Sequence, residues 1–177
     1  MKIPFWFLRE RFSAYFWVTA TSMFGFFLIY KDEMIFGIIV LLIATASFFS
    51  VREDFKRRKY GLLLEEKAYR FLKENVPYRL EFRRGLENGG DIDIYIPELS
   101  VAIDVKAYRK IDRRIFQDRN KRSIARQKEI AYKVIVWLPN AQENKIKNYK
   151  DFTVVCGWQP MVGFLKNYAT KQNSSQV

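Results

Sequence analysis

Gly89-Gly90-Asp91-Ile92-Asp93-Ile94-Tyr95-Ile96, followed by Val101-Ala102-Ile103-Asp104-Val105-Lys106, is the stretch that decides how this 177-residue chain folds. Both segments are rich in β-branched residues, and Pro97-Glu98 between them reads as a tight turn, so an antiparallel hairpin is predicted. A strand buried in a sheet normally runs as Val, Ile and Leu. Here Asp93, Asp104 and Lys106 interrupt the apolar run, and burying an unpaired charge costs on the order of several kcal/mol. Side chains alternate along a strand. Val101, Ile103 and Val105 therefore build core, while Ala102, Asp104 and Lys106 share the opposite face. In the preceding strand Asp91, Asp93 and Tyr95 share one face, and Ile92, Ile94 and Ile96 the other. The hairpin can bring Asp93 beside Asp104. Two carboxylates at one point repel unless a cation joins them. A divalent ion between them would polarise a phosphodiester and acidify a bound water. Lys106 would orient or help deprotonate that water and steady the developing charge.

Outward from the hairpin the pattern is that of an α/β domain. Leu62 to Glu74 reads as a helix with Leu64, Ala68, Phe71 and Leu72 on one face. Tyr78 to Arg83 is expected as a first strand, and Gly85 to Gly90 as a turn. Arg113 to Ile130 reads as one long basic helix, Tyr132 to Leu138 as a buried strand stopped by Pro139-Asn140, and Gln142 to Tyr149 as a short helix. Phe152 to Cys156 is a further strand and Gln159 to Tyr168 a last helix. Residues 170–177 form a polar tail expected to be disordered.

Composition narrows the chemistry. The chain has no His and one Cys, Cys156, which excludes an internal disulfide, Ser-His triads and His- or Cys-based metal sites. Catalysis must then run on carboxylates, lysine and a hard metal such as Mg²⁺. The formal charge of +12 is uneven: residues 1–50 carry +1 and the remainder +11. A part that basic suits a polyanionic partner, nucleic acid or an anionic membrane surface.

Two apolar runs, Ala14 to Tyr30 and Met34 to Ser50, are separated only by Lys31-Asp32-Glu33. With flanking aromatics at the interfaces each reaches spanning length, about 17–25 residues. A cleaved signal peptide fits less well, because a second apolar run follows at once and no small-x-small site ends the first. The expected organisation is a transmembrane helical hairpin over 1–50, a basic juxtamembrane linker over 51–59, an α/β domain over 60–169 and the tail over 170–177. Lys2, Arg9 and Arg11 precede the hairpin, and Arg52, Lys56, Arg57, Arg58 and Lys59 follow it. The positive-inside rule then puts both termini in the cytoplasm of a bacterial-type inner membrane.

The order Gly61-Leu62-Leu63-Leu64-Glu65-Glu66, Gly90-Asp91-Ile92-Asp93 and Ile103-Asp104-Val105-Lys106 resembles the PD-(D/E)XK nuclease superfamily, most closely its nuclease-related (NERD-type) and resolvase-like domains. The resemblance covers roughly residues 60–157. It implies a restriction-endonuclease-like fold with a central mixed sheet flanked by helices, and a membrane-anchored, Mg²⁺- or Mn²⁺-dependent endonuclease acting on DNA. By the same resemblance Asp93, Asp104 and the backbone carbonyl of Val105 are metal ligands, Lys106 is the catalytic lysine, and Glu65 reaches the metal through water. Asp91 stays open as an alternative to Asp93, and Glu66 to Glu65. Asp104 stands where Glu is commoner in the family, and both ligate Mg²⁺. Arg119, Arg122 and Arg126 form a helical stripe able to follow phosphates, and Gln127 resembles a helix glutamine some members place near the active site. The rival expectation is a catalytically inactive module of the same fold that binds nucleic acid or a partner protein at the membrane. A homodimer or a regulatory partner is compatible with either. Trp137 and Trp158 are expected as core or edge residues rather than as base-stacking platforms.

Overall fold

The computed structural model describes residues 5–87 and 90–174, the side chains of Trp6, Arg119 and Asn173 excepted. Its elements are α1 (Phe5–Tyr30), α2 (Met34–Asn75), β1 (Glu81–Gly85), β2 (Asp91–Ile96), β3 (Val101–Val105), α3 (Asp118–Lys128), β4 (Lys133–Leu138), β5 (Lys145–Asn148), β6 (Thr153–Cys156) and α4 (Trp158–Ser174). The chain divides into two compact units, residues 1–60 and 61–177.

The first unit is a helical hairpin. Asp32 adopts a left-handed φ of 63° in the turn, and the Glu33 N–H donates to the Leu28 carbonyl at 3.0 Å. The two helices meet at glycines. A Cβ on Gly37 would lie 2.7 Å from the Gly25 carbonyl and 2.4 Å from Ile29 Cγ1, so no larger residue fits there. Large apolar side chains such as Phe12, Trp17, Phe24, Ile35 and Leu42 point outward and are exposed, the inverse of a soluble helical pair. Both helices are long and apolar enough to cross a membrane. The segment 51–59, expected as a linker, is instead helical and continuous with α2. It contains no Gly or Pro and carries helix-supporting pairs, Lys56–Glu53 at 2.7 Å and Arg58–Asp54 at 2.8 Å.

The second unit is a mixed six-stranded sheet with helices on both faces. The strand order is β1-β2-β3-β4-β6-β5. β1, β2 and β3 form an antiparallel meander; β3, β4 and β6 run parallel; β5 is antiparallel to β6. On one face Leu64, Ala68 and Leu72 of α2 and Met161 and Leu165 of α4 pack against Ile94, Ile103, Ile135, Trp137 and Val155. On the other, Ile115 and Ile124 cover Tyr95, Ala102, Val134, Val136 and Cys156. Trp137 is fully buried and its indole N–H donates to the Gly157 carbonyl at 2.8 Å. Trp158 packs edge-on against it, ring centres 5.3 Å apart.

Four elements differ from expectation. β1 begins at Glu81 rather than Tyr78. The basic helix is interrupted: Arg113–Phe116 is a 3₁₀ turn capped by the Asp112 side chain, which accepts from the Arg114 N–H at 2.8 Å. Gln117, with ψ at 151°, then leaves helical geometry before α3 starts. The predicted helix over Gln142 to Tyr149 is the edge strand β5, in register with β6 from Lys145↔Cys156 to Asn148↔Thr153. The polar tail is helical as far as Ser174; residues 175–177 lie outside the described chain.

Candidate functional site

The carboxylates lie where β2 and β3 part. The two strands pair from Ile96↔Val101 to Ile94↔Ile103. Beyond Ile94 the Asp93 side chain serves as acceptor, its Oδ2 taking the Val105 backbone N–H at 2.7 Å. Strand alternation also breaks here. Ile94 and Ile96 pack beneath α2 and α4, as expected, but Ile92 packs on the α3 side with Tyr95 and Ala102. The neighbouring strand marks the same point: Arg83, between the pairs Phe82↔Ile94 and Arg84↔Ile92, has a φ of 53°. That is a left-handed conformation that L-residues rarely adopt.

Asp93 is 9% exposed. Burial pushes its pKa well above the usual carboxylate range, Asp104 and Glu65 push it further, and Lys106 and the Val105 N–H oppose them. Asp91, at the head of β2, is exposed. Asp104 stands opposite Val136 in the parallel β3–β4 register and is 5% exposed. Its Oδ1 lies 2.9 Å from the Lys106 ammonium. Lys106 follows β3 directly, and its backbone N–H extends the ladder by donating to the Trp137 carbonyl at 2.9 Å. Burial alone would depress the Lys106 pKa, but Asp104 and Asp93 overcome it and raise the value to about 12. Lys106 is thus an ammonium at neutral pH, which suits it to donate and to stabilise negative charge rather than to accept a proton.

Glu65 reaches this group from α2. Its pKa is raised by burial, against the lowering effect of Arg83, with Asp91 adding and Lys106 subtracting. Its Oε2 accepts from Arg83 Nη2 at 3.1 Å and from Nε at 3.3 Å. Glu66 turns to Arg70 on the same helix, 2.5 Å away. Asp93 thus feels Glu65, Asp104 and Lys106 electrostatically, and Lys106 also acts on Glu65. Arg83 is a fifth member that the sequence reading missed; Arg83-Arg84 has no local signal for a left-handed residue tied to a helix glutamate.

Among the described residues no three carboxylate or Cys side chains gather as a ready metal-ligand group. Asp93 and Asp104 supply two hard oxygen donors, while Glu65 is held by Arg83. Two buried carboxylates of like charge fit a Mg²⁺-type ion, which keeps several waters and takes one or two protein carboxylates.

On α3, Ile124 and Gln127 face inward, whereas Arg122 and Arg126 are exposed. The Arg126 guanidinium stands beside Gly90: a Cβ there would lie 3.6 Å from its Nη1. One basic residue of the helix thus adjoins the β2 segment that carries Asp91 and Asp93. The Arg119 side chain lies outside the described residues. Gln127, expected from the resemblance as a helix glutamine near the active site, faces inward rather than toward solvent. It is only 1% exposed, its Nε2 donates to Ser123 Oγ at 3.3 Å, and its Oε1 has no hydrogen-bond partner among the described residues.

Comparison with protein-family models, with curated proteins and with solved structures finds no match to the chain.

Proposed function

We propose that the chain is a membrane-anchored, divalent-metal-dependent nuclease of the PD-(D/E)XK type, hydrolysing DNA phosphodiester bonds at the cytoplasmic face of a bacterial-type plasma membrane. The observation that carries this reading is the pair of buried carboxylates, Asp93 and Asp104, where β2 and β3 part, with Lys106 paired to Asp104 and acting electrostatically on Asp93. A helix glutamate, Glu65, contributes to the same electrostatic group. Asp93, Asp104 and the Val105 carbonyl would hold Mg²⁺ or Mn²⁺, which when bound supplies Lewis-acid polarisation of the phosphate and an acidified water. Lys106, as an ammonium, would orient the attacking water and donate to the phosphate oxygens as charge builds on them. Arg122 and Arg126 would position the backbone of the nucleic acid. The α1–α2 hairpin would anchor the domain, with the basic residues at its ends holding both termini on the cytoplasmic side.

The test is cleavage of supercoiled and linear DNA by the detergent-solubilised full chain, in Mg²⁺, Mn²⁺ or EDTA, beside Lys106→Ala. Metal-dependent cutting that falls at least about 100-fold in the variant supports the enzyme. Cutting unchanged by the substitution refutes it.

The Glu65–Arg83 pair favours a second reading. A glutamate neutralised by arginine is a poor metal ligand, and a module of the same fold could bind DNA or a partner protein without cutting. DNA affinity indifferent to EDTA, with no cleavage, would select that reading.

A further inference from the structure

Within the N-terminal unit, Arg11 of α1 and Arg52, Lys56 and Lys59 of α2 surround a cavity of about 200 Å³. Its inner wall is aromatic. Phe7 and Phe55 are buried there with ring centres 5.3 Å apart, edge to face, and the Arg11 guanidinium lies 5.6 Å from the centre of the Tyr15 ring. The nearby acids are already paired, one of them with a cation of the cavity itself. Glu53 pairs with Lys56 at 2.7 Å, and Glu10 and Asp54 both pair with Arg58, at 3.0 and 2.8 Å. Among the described residues Arg11, Arg52 and Lys59 make no ion pair, although Arg52 acts at longer range on Glu53. Three cations without an ion pair around one concavity repel one another, and an anion relieves that repulsion.

The depth of the cavity says which anion. Arg11 lies just before the apolar run of α1, and Arg52 just after that of α2, so the cations sit where both apolar runs end. In a bilayer that is the headgroup level. One to two turns deeper, Phe16, Phe48 and Phe49 are exposed, an apolar surface suited to acyl chains. A ligand satisfying both carries a phosphate and hydrocarbon tails together. We propose that the Arg11–Arg52–Lys59 cavity is a binding site for the phosphate headgroup of an anionic phospholipid. This rests on reading the hairpin as membrane-spanning.

The experiment uses the full chain in nanodiscs of phosphatidylcholine mixed with phosphatidylglycerol, with retained lipids counted by native mass spectrometry. The wild type should retain phosphatidylglycerol selectively. Replacing Arg11, Arg52 and Lys59 together by Gln should weaken that retention at least about tenfold, since each basic residue at the surface contributes about 1 kcal/mol. The pair Lys31→Gln and Arg57→Gln, which removes charge outside the cavity, should change it by less than about twofold. Equal loss in the two sets, or no selectivity in the wild type, overturns the site. So does complete displacement of the lipid by inorganic phosphate, which would assign the cavity to the dissolved anion. If the triple variant fails to insert, the single variants Arg11→Gln and Arg52→Gln serve, each expected to lose about fivefold. Failure of the membrane reading itself shows separately, as wild-type chain released from membranes by carbonate without detergent.

Discussion

Asp93 Oδ2 accepts the Val105 backbone N–H at 2.7 Å, so a buried carboxylate fills a gap in the sheet ladder at the point where β2 and β3 separate. The bond ties Asp93 to the residue between Asp104 and Lys106. The arrangement holds two carboxylates close together in a poorly solvated place, which costs folding free energy that a fold alone does not require. Such local costs concentrate where chemistry is done.

Asp93→Asn should therefore stabilise the metal-free protein at neutral pH. Asn keeps an acceptor for the Val105 N–H and removes a buried charge. The folded-state pKa of Asp93 is raised by burial and by Asp104, so its carboxyl disfavours folding progressively as pH rises from the ordinary value of 3.8 toward the folded pKa, and fully above it. Below 3.8 the penalty is absent. The expected gain is about 1–3 kcal/mol at neutral pH, shrinking toward acid. Thermal melts in EDTA read it directly, and a variant less stable than wild type at neutral pH contradicts the argument. Added Mn²⁺ should raise the melting temperature of the wild type and leave Asp93→Asn nearly unmoved.

Lys106 carries the opposite linkage. Its pKa is raised to about 12 from 10.5, so its stabilising pairing with Asp104 is fully present below 10.5 and fades as pH rises toward 12. Lys106→Met should destabilise the protein at neutral pH by about 1–3 kcal/mol, because Asp104 is left buried without a counter-charge. The double variant Lys106→Met, Asp104→Leu should recover much of that loss, as measured by chemical denaturation. A double variant as unstable as the single one would show that the pair matters for packing rather than charge.

Glycines at two turns separate strain from crowding. Gly90 has a φ of 102°, and a Cβ there meets nothing closer than Arg126 Nη1 at 3.6 Å. Gly157 has a φ of 94°, but its Cβ would lie 2.1 Å from Asn144 Oδ1. Gly90→Ala should cost about 1 kcal/mol of backbone strain. Gly157→Ala should cost more, and Asn144→Ala in the same chain should recover only the excess. Equal losses at the two glycines would mean that the Asn144 side chain simply moves aside.

What the sequence made legible were the elements with strong local signals. The apolar runs marked α1 and the first half of α2, and β-branched stretches marked β2, β3, β4 and β6. Alternation placed Asp104 opposite Ile103 and Val105, because β3 is a regular strand paired on both sides. It failed at Ile92, where the β2–β3 ladder ends and a side chain replaces a backbone partner. β5 was unreadable for another reason. Lys145-Ile146-Lys147-Asn148 is exposed throughout and is a strand only because β6 presents an edge to it; its lysines are what an exposed edge carries. Arg83 was missed because its importance lies in a pairing with a helix 18 residues earlier, which no local pattern encodes.

That pairing gives the sharpest test of the site. Arg83 holds Glu65 Oε2 with two N–H groups, at 3.1 and 3.3 Å, both side chains being largely shielded from solvent. While the pair is made, the glutamate is neutralised toward any cation between Asp93 and Asp104. Arg83→Gln should free that charge and tighten Mn²⁺ binding about three- to tenfold, the equivalent of roughly 1 kcal/mol for one added carboxylate in a partly screened site. Glu65→Gln should have no such effect and should weaken binding if it does anything. The combination Arg83→Gln with Glu65→Gln should return affinity to near wild type, since the gain acts through Glu65 alone. Isothermal titration with Mn²⁺ distinguishes these outcomes. Tightening that persists in the double variant would mean that Arg83 repels the cation directly, and Glu65 would then lose its place among the groups that hold the metal.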